Sequence, residues 1–164
     1  MNRLQDVAAQ VVRAALDAGL TVGTAESLTA GLVSASLADI PGASGMLQGG
    51  VVAYRNSVKA EVLGVPGDLL ERVGSVDGAV AAAMASGARK ACGADLGIST
   101  TGVAGPEPHD GKSVGTVFIG IADAHGEKSF EYTFSGGRAA IRSQACEAAL
   151  ERLLAGIRSL LYQR

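Results

Sequence analysis

Residues 24–31, TAESLTAG, set the Glu26 carboxylate and the hydroxyls of Ser27 and Thr29 directly behind a short apolar run. Such groups at a strand-to-helix junction serve either as N-cap and first-turn residues or as one wall of a site. A second polar, Gly-rich stretch, Thr101-Gly102-Val103-Ala104-Gly105-Pro106, follows another apolar run. Its glycines let backbone N–H groups face a ligand, although it fits neither a Walker nor a dinucleotide fingerprint. Between the two lies PGASGMLQGGVVAYRNSVK, with Ser44 in a turn, then Tyr54, then Lys59. A lysine can serve as the base for a serine nucleophile once desolvation or neighbouring cations lower its pKa. The bland alternative makes Ser44 a turn residue and Lys59 a solvated helix lysine. Ser44 precedes Lys59 by fifteen residues, and the chain is expected to return the lysine to the serine after one strand.

Arg138 and Arg142 lie four apart behind Ser135-Gly136-Gly137, on one face of a helix start. Two cations there oppose the helix dipole, a small cost tolerated more readily beside a bound anion. Solvated surface arginines are the alternative. His109 and His125 lack the paired spacing of a zinc site, and Cys92 and Cys146 are isolated within helical segments, so no metal is expected. Both thiols are expected to be buried and reduced.

These groups need elements to position them, and the periodicities supply them. Leu4, Val7, Ala8, Val11 and Ala15 recur at helical spacing, which predicts a helix over 3–18 stopped by Gly19. Strands are predicted at 20–26, 46–55, 94–102, 115–123 and 127–135, the last two joined as a hairpin. A small-residue helix is expected over 29–40. Two short helices follow at 58–64, capped by Ser57, and at 66–74, opened by Pro66. Asp77 is a good N-cap for a long alanine-rich helix over 78–92, and one amphipathic helix closes the chain over 137–162. The alternation predicts an α/β fold: one domain over 1–164, a three-layer α/β/α sandwich with a mixed, mostly parallel sheet. Ligands in such sheets sit beyond the carboxyl ends of the strands. Both Gly-rich loops fall there.

With 164 residues, the chain is long enough to bury a core without disulfides or metal. Its net charge of −2, with acids and bases interspersed, offers no basic stripe for nucleic acid. The N-terminus is not patterned as a signal peptide, and no apolar run reaches the roughly 20 residues that span a bilayer. A cytoplasmic location and no membrane partner are expected.

Five ordered blocks, TAESLTAG, PGASGMLQGGVVAYRNSVKAEVLGV, STTGVAGP, KSVGTVFIGIA and FSGGR, resemble the C-terminal domain of the competence/damage-inducible CinA family. The stand-alone form of that domain is nicotinamide mononucleotide deamidase; the upstream molybdopterin-binding-like domain of longer members is expected to be absent. The resemblance implies hydrolysis of nicotinamide mononucleotide to nicotinate mononucleotide and ammonia by a Ser/Lys dyad, without cofactor. By position in the matching block, Ser44 would be the nucleophile and Lys59 the base, with Tyr54 beside them. Glu26, Ser27, Thr29, Gly31, Gly50, Thr101, Gly102, Ala104, Gly105 and Arg138 would bind the nucleotide. A homo-oligomer, in the first instance a dimer, is the expected assembly. Against the family pattern AESCTGG, Leu28 replaces Cys and Ala30 replaces Gly, and Val76-Asp77-Gly78 stands where Val-Ser-Glu is usual. A binding or regulatory module that has lost turnover is the alternative those changes suggest.

Overall fold

Val22–Glu26 (β1) and Leu96–Gly102 (β3) are buried almost throughout, as strands covered on both faces must be. In this computed structural model, which describes residues 2–163, they pair in parallel at the middle of a five-stranded sheet. Leu47–Val52 (β2) adds in parallel on the other side of β1. Thr116–Asp123 (β4) and Gly126–Thr133 (β5) form an antiparallel hairpin beyond β3, giving the order β2-β1-β3-β4-β5. The mixed, mostly parallel sheet of the sequence reading is what forms.

Arg3–Ala18 (α1), Leu32–Ala38 (α2) and Arg138–Leu161 (α6) cover one face. Asn56–Glu61 (α3), Gly67–Val73 (α4) and Gly78–Cys92 (α5) belong to the other. Side chains alternate across a strand, so in β1 the even residues face α2 and the odd ones face α5. Helix α5 lies unusually close to the sheet. A Cβ on Gly97 would meet the Ala85 carbonyl oxygen at 1.9 Å, and one on Gly120 the Ala81 oxygen at 2.1 Å. The Ser99 hydroxyl donates to that same Ala81 oxygen at 2.5 Å.

The helix limits expected at 3–18 and 78–92 match α1 and α5, both stopped by left-handed glycines, Gly19 and Gly93. Asp77 caps α5 through the Ala79 N–H at 2.8 Å. Two helix starts differ. Helix α2 begins at Leu32 rather than 29, because residues 27–31 form a turn held from outside the helix. Helix α3 starts at Asn56 with Arg55 as N-cap, so Ser57 lies inside it and caps nothing. Residues 43–45 form a 3-10 turn at the amino end of β2.

Chain order and sheet order place the reversal point between β1 and β3: after β1 the chain moves outward to β2, and then returns past β1 to β3. Crevices open at the carboxyl ends beside such a reversal. The turn after β1, the start of α3 after β2 and the loop after β3 all meet there.

Candidate active site

Register fixes the neighbours. Glu26 pairs with Val52 on one side and Thr100 on the other. The next residue, Ser27, therefore sits beside Ala53, with its N–H donated to the Thr100 carbonyl at 3.0 Å. Lys59 lies in the last turn of α3, and helical side chains lean toward the helix N-terminus. Its amine accordingly reaches back to the start of α3, donating to the carbonyls of Ala53 at 2.9 Å and Tyr54 at 3.2 Å. Its remaining donor meets the Ser27 hydroxyl oxygen at 3.1 Å.

Lys59 is 1% exposed, and burial pulls its amine down from the ordinary 10.5 to about 8, while the Asp110 carboxylate acts in the opposite sense. At pH 7.5 about a quarter of such an amine is neutral, against roughly one in a thousand for a solvated lysine. A buried, partly deprotonated amine against a hydroxyl is the arrangement that activates a serine. Cys146 does not compete as nucleophile, since burial pushes its thiol up to about 11.

The pairing of Lys59 with Ser44 is corrected by this geometry. Ser44 lies in the 3-10 turn before β2, exposed, with its neighbour Gly45 packed on Leu16 of α1. Lys59 lies beyond the other end of β2. Five steps along an extended strand cover about 17 Å, so the strand separates the two groups instead of reuniting them. In a parallel sheet a residue before one strand and a residue after it occupy opposite edges. Ser27, at the carboxyl end of β1, is on the correct one.

Glu26 faces inward, toward the start of α2. It is 1% exposed, with Oε1 accepting from the Thr29 hydroxyl and the Val33 N–H, both at 2.7 Å. Oε2 accepts from the Ser34 N–H at 3.1 Å and the Ser34 hydroxyl at 2.9 Å. The carboxylate thus caps α2 in place of Gly31, which has no side chain to do so. The Thr29 hydroxyl spends its proton on Glu26, so at 2.8 Å from Thr100 Oγ1 it is the acceptor. Gly50 leaves room for the Thr24 and Ser34 side chains, which a Cβ there would strike at 2.2 and 2.7 Å. Glu26, Thr29 and Gly50, expected to bind substrate, instead build the platform under Ser27.

The turn itself is held by Arg142, which donates to the Leu28 carbonyl at 2.8 Å and the Thr29 carbonyl at 3.1 Å. Arg142 is therefore a strut, and the anion-facing pair reduces to Arg138. That guanidinium is exposed and bridges the loop after β3 to the segment after β2, donating to the Gly105 carbonyl at 2.5 Å and the Tyr54 phenol oxygen at 2.9 Å. Tyr54 is 54% exposed, so its ring faces the opening rather than the core. Thr101 donates its hydroxyl to the Ser75 carbonyl at 2.7 Å; Gly102 ends β3 and Ala104 is buried behind it. Cys92, expected to be buried, is half-buried at the end of α5.

Ala30 closes the turn at φ 49°, a left-handed conformation that costs a residue with a Cβ about 1–2 kcal/mol. Glycine would remove that cost but lose more chain entropy, about 0.5–1 kcal/mol. Ala30→Gly is therefore expected to stabilise by about 0.5–1 kcal/mol, one to a few degrees in Tm. Thermal and urea unfolding check it; a destabilised variant would show that the turn is relaxed around the methyl.

Residues 4–157 match the CinA C-terminal domain. A relative from Desulforamulus reducens, named for competence-damage inducibility, is 48% identical over 150 residues, covering 92% of this chain and 36% of its own. A CinA-like protein of Syntrophotalea carbinolica is 45% identical over 150 residues, covering 91% of this chain and 36% of its own. The chain thus spans about a third of the length of the curated relatives it matches. Among solved structures, the competence/damage inducible protein CihA of Agrobacterium tumefaciens superposes with a TM-score of 0.90 at 33% identity, covering 94% of this chain and 96% of that one. A CinA superfamily protein of Klebsiella pneumoniae does so with a TM-score of 0.92 at 29% identity, covering 97% and 99%. With the ordered blocks, the matched domain and the fold all in agreement, the chain belongs to the CinA family, by its CinA C-terminal domain.

Proposed function

We propose that this domain is a serine amidohydrolase that deamidates nicotinamide mononucleotide to nicotinate mononucleotide and ammonia, a step of pyridine-nucleotide salvage. The observation that carries the reading is the buried Lys59 amine, lowered to about 8, standing 3.1 Å from the Ser27 hydroxyl. Ser27 replaces Ser44 as the nucleophile in this reading.

Neutral Lys59 takes the hydroxyl proton as Ser27 Oγ attacks the carboxamide carbon. The tetrahedral oxyanion needs preorganised donors, drawn from backbone N–H groups of the turn after Ser27 and the Gly102–Gly105 loop. Lys59 returns its proton to the leaving nitrogen, ammonia departs, and a nicotinoyl ester on Ser27 remains. Water, deprotonated by Lys59, then cleaves the ester and restores the hydroxyl. The cationic pyridinium ring withdraws electrons from the carboxamide and makes it a better electrophile. No step calls for a cofactor.

The first N–H groups of α2 are already taken by Glu26, so the nucleotide phosphate is assigned to Arg138, the exposed cation at the crevice. The direct test is ammonia release from nicotinamide mononucleotide by the purified protein. Release should greatly exceed that from the riboside, and Arg138→Ala should raise KM for the nucleotide about ten- to a hundredfold while leaving the riboside unaffected, the worth of one charged contact. Binding of the nucleotide without ammonia release would sink the reading in favour of a regulatory module. Equal rates on nucleotide and riboside would remove the phosphate anchor alone.

A further inference from the structure

Arg142 spends its charge on two peptide carbonyls. Its Nε and Nη2 donate to the Leu28 and Thr29 oxygens at 2.8 and 3.1 Å, and among the described residues no carboxylate forms an ion pair with it. One planar fork reaches both oxygens, so the two carbonyls point to the same side. The oxygen and the hydrogen of a trans peptide lie on opposite sides, so the Thr29 and Ala30 N–H groups point away from the guanidinium. Ala30 shows where that is, since its N–H donates to the Ser27 carbonyl at 3.1 Å. The Leu28 and Thr29 N–H groups have no acceptor among the described residues, although both residues are buried. Backbone N–H groups in such surroundings are nearly always paired. These two are the first donors after Ser27, and a serine nucleophile on a strand-to-helix turn uses the N–H of the next residue for its oxyanion.

We propose that Arg142 is a positioning residue that arms an oxyanion hole made of the Leu28 and Thr29 N–H groups. The inference deepens the Ser27–Lys59 reading and rests on it. Two hydrogen-bonded routes run from the guanidinium. Through the Leu28 carbonyl it polarises the peptide whose N–H belongs to Thr29. Through the Thr29 carbonyl it polarises the peptide whose N–H belongs to Ala30. That N–H donates to the Ser27 carbonyl and so polarises, in turn, the peptide whose N–H belongs to Leu28. Hydrogen bonds in series strengthen one another where the local dielectric is low. A full positive charge at the head of both routes makes both N–H groups better donors, and it is in place before substrate arrives. Arg142 itself touches no ligand in this scheme. The anionic tetrahedral intermediate gains far more from these donors than the neutral carboxamide oxygen does, so the benefit falls in kcat rather than in KM.

A small fluorophosphonate reads the nucleophile without a substrate. Ser27 Oγ bonds to phosphorus, its proton passes to Lys59, the P–F bond breaks and fluoride leaves; the phosphonyl oxygen takes the place of the oxyanion. Labelling at Ser27 is followed by intact mass and peptide mapping in the wild type, Arg142→Gln and Arg142→Lys, beside kcat and KM for nicotinamide mononucleotide. Arg142→Gln keeps a donor and loses the charge. It should label about ten- to a hundredfold more slowly, part of the hundred- to thousandfold that a whole oxyanion donor is worth, and lose kcat by the same factor at an unchanged KM. Arg142→Lys, which keeps the cation, should recover most of both rates. A second readout needs no variant and decides the matter should Arg142→Gln fail to fold. When the wild type is labelled, the Leu28 and Thr29 amide protons should move downfield in the NMR spectrum, further than that of Ala30, which is already bonded to Ser27. Undiminished labelling in Arg142→Gln, a loss confined to KM, a loss in Arg142→Lys as large as in Arg142→Gln, or unmoved Leu28 and Thr29 amide protons overturns the proposal. A wild type that takes no label at Ser27 would sink the Ser27–Lys59 reading and this inference with it. One that labels but releases no ammonia would refute the assigned substrate alone, and the labelling rates would still decide the role of Arg142.

Discussion

Ser27→Ala and Lys59→Met are each expected to lower kcat by several orders of magnitude, and the double variant to be little worse than either. Residues that act as one unit lose their contribution together. Ser44→Ala, at the far edge of the sheet, should retain wild-type turnover. Single-turnover kinetics on the four variants decides the matter, and loss of chemistry in Ser44→Ala with retention in Ser27→Ala would reverse the assignment. Stability separates catalytic loss from unfolding. The Lys59 amine titrates at about 8 in the folded protein and at its ordinary 10.5 when unfolded. Between those values the unfolded chain binds the extra proton, so wild-type stability should climb with pH, by about 3 kcal/mol in all. Below pH 8 both states are charged and the penalty of a buried ammonium is fully present. Lys59→Met should remove that rise, and a denaturation series from pH 7 to 10.5 reads the difference. A variant that kept the slope would show that another group causes it.

Glu26→Gln is expected to be the costliest single change outside the core. Four donors converge on the buried carboxylate, and the amide would turn its NH2 group toward two of them. Hydrogen bonds to a charged acceptor contribute about 1.5–3 kcal/mol each, so losing two should destabilise by about 3–5 kcal/mol and lower Tm by roughly 10 °C. Turnover should fall as well, because the cap of α2 and the seat of Ser27 are the same group. Unchanged Tm with a raised KM would instead return Glu26 to the substrate.

Much of the architecture could be read directly from residue patterns. The 3.6-residue period of Leu4, Val7, Val11 and Ala15, the stop at Gly19 and the Asp77 cap act locally, so they mark α1 and α5 without tertiary knowledge. The alternation of helices and strands likewise leads to the layered sheet, and the two Gly-rich loops do follow the carboxyl ends of β1 and β3. The start of α2 was hidden because its cap is Glu26, seven and eight residues from the N–H groups it serves, rather than a residue at the N-cap. That Lys59 meets Ser27 rather than Ser44 was hidden because a block of sequence similarity carries no direction across the sheet. The information needed was present: Ser27 and Lys59 both follow parallel strands, whereas Ser44 precedes one. The hydrogen bond between Asp110 and Ser75 gave no signal, since it joins two loops 35 residues apart.

The strand-end crevice has a kinetic corollary. Two of the contacts that seat Ser27 are far from local: its N–H rests on Thr100, and Arg142 grips Leu28 across 114 residues of chain. Long loops must close before such contacts stabilise anything, which slows their formation relative to helices. Helical circular dichroism should therefore recover early in refolding, while Ser27 reactivity returns only with the last pairing of β1 against β3. Any species that opens this pair, however much helix it keeps, has lost the seat of Ser27. On the proposed reading, activity is expected to be all-or-none with respect to the central strands, and a protease or chaperone that captures a partly opened form is expected to capture an inert one.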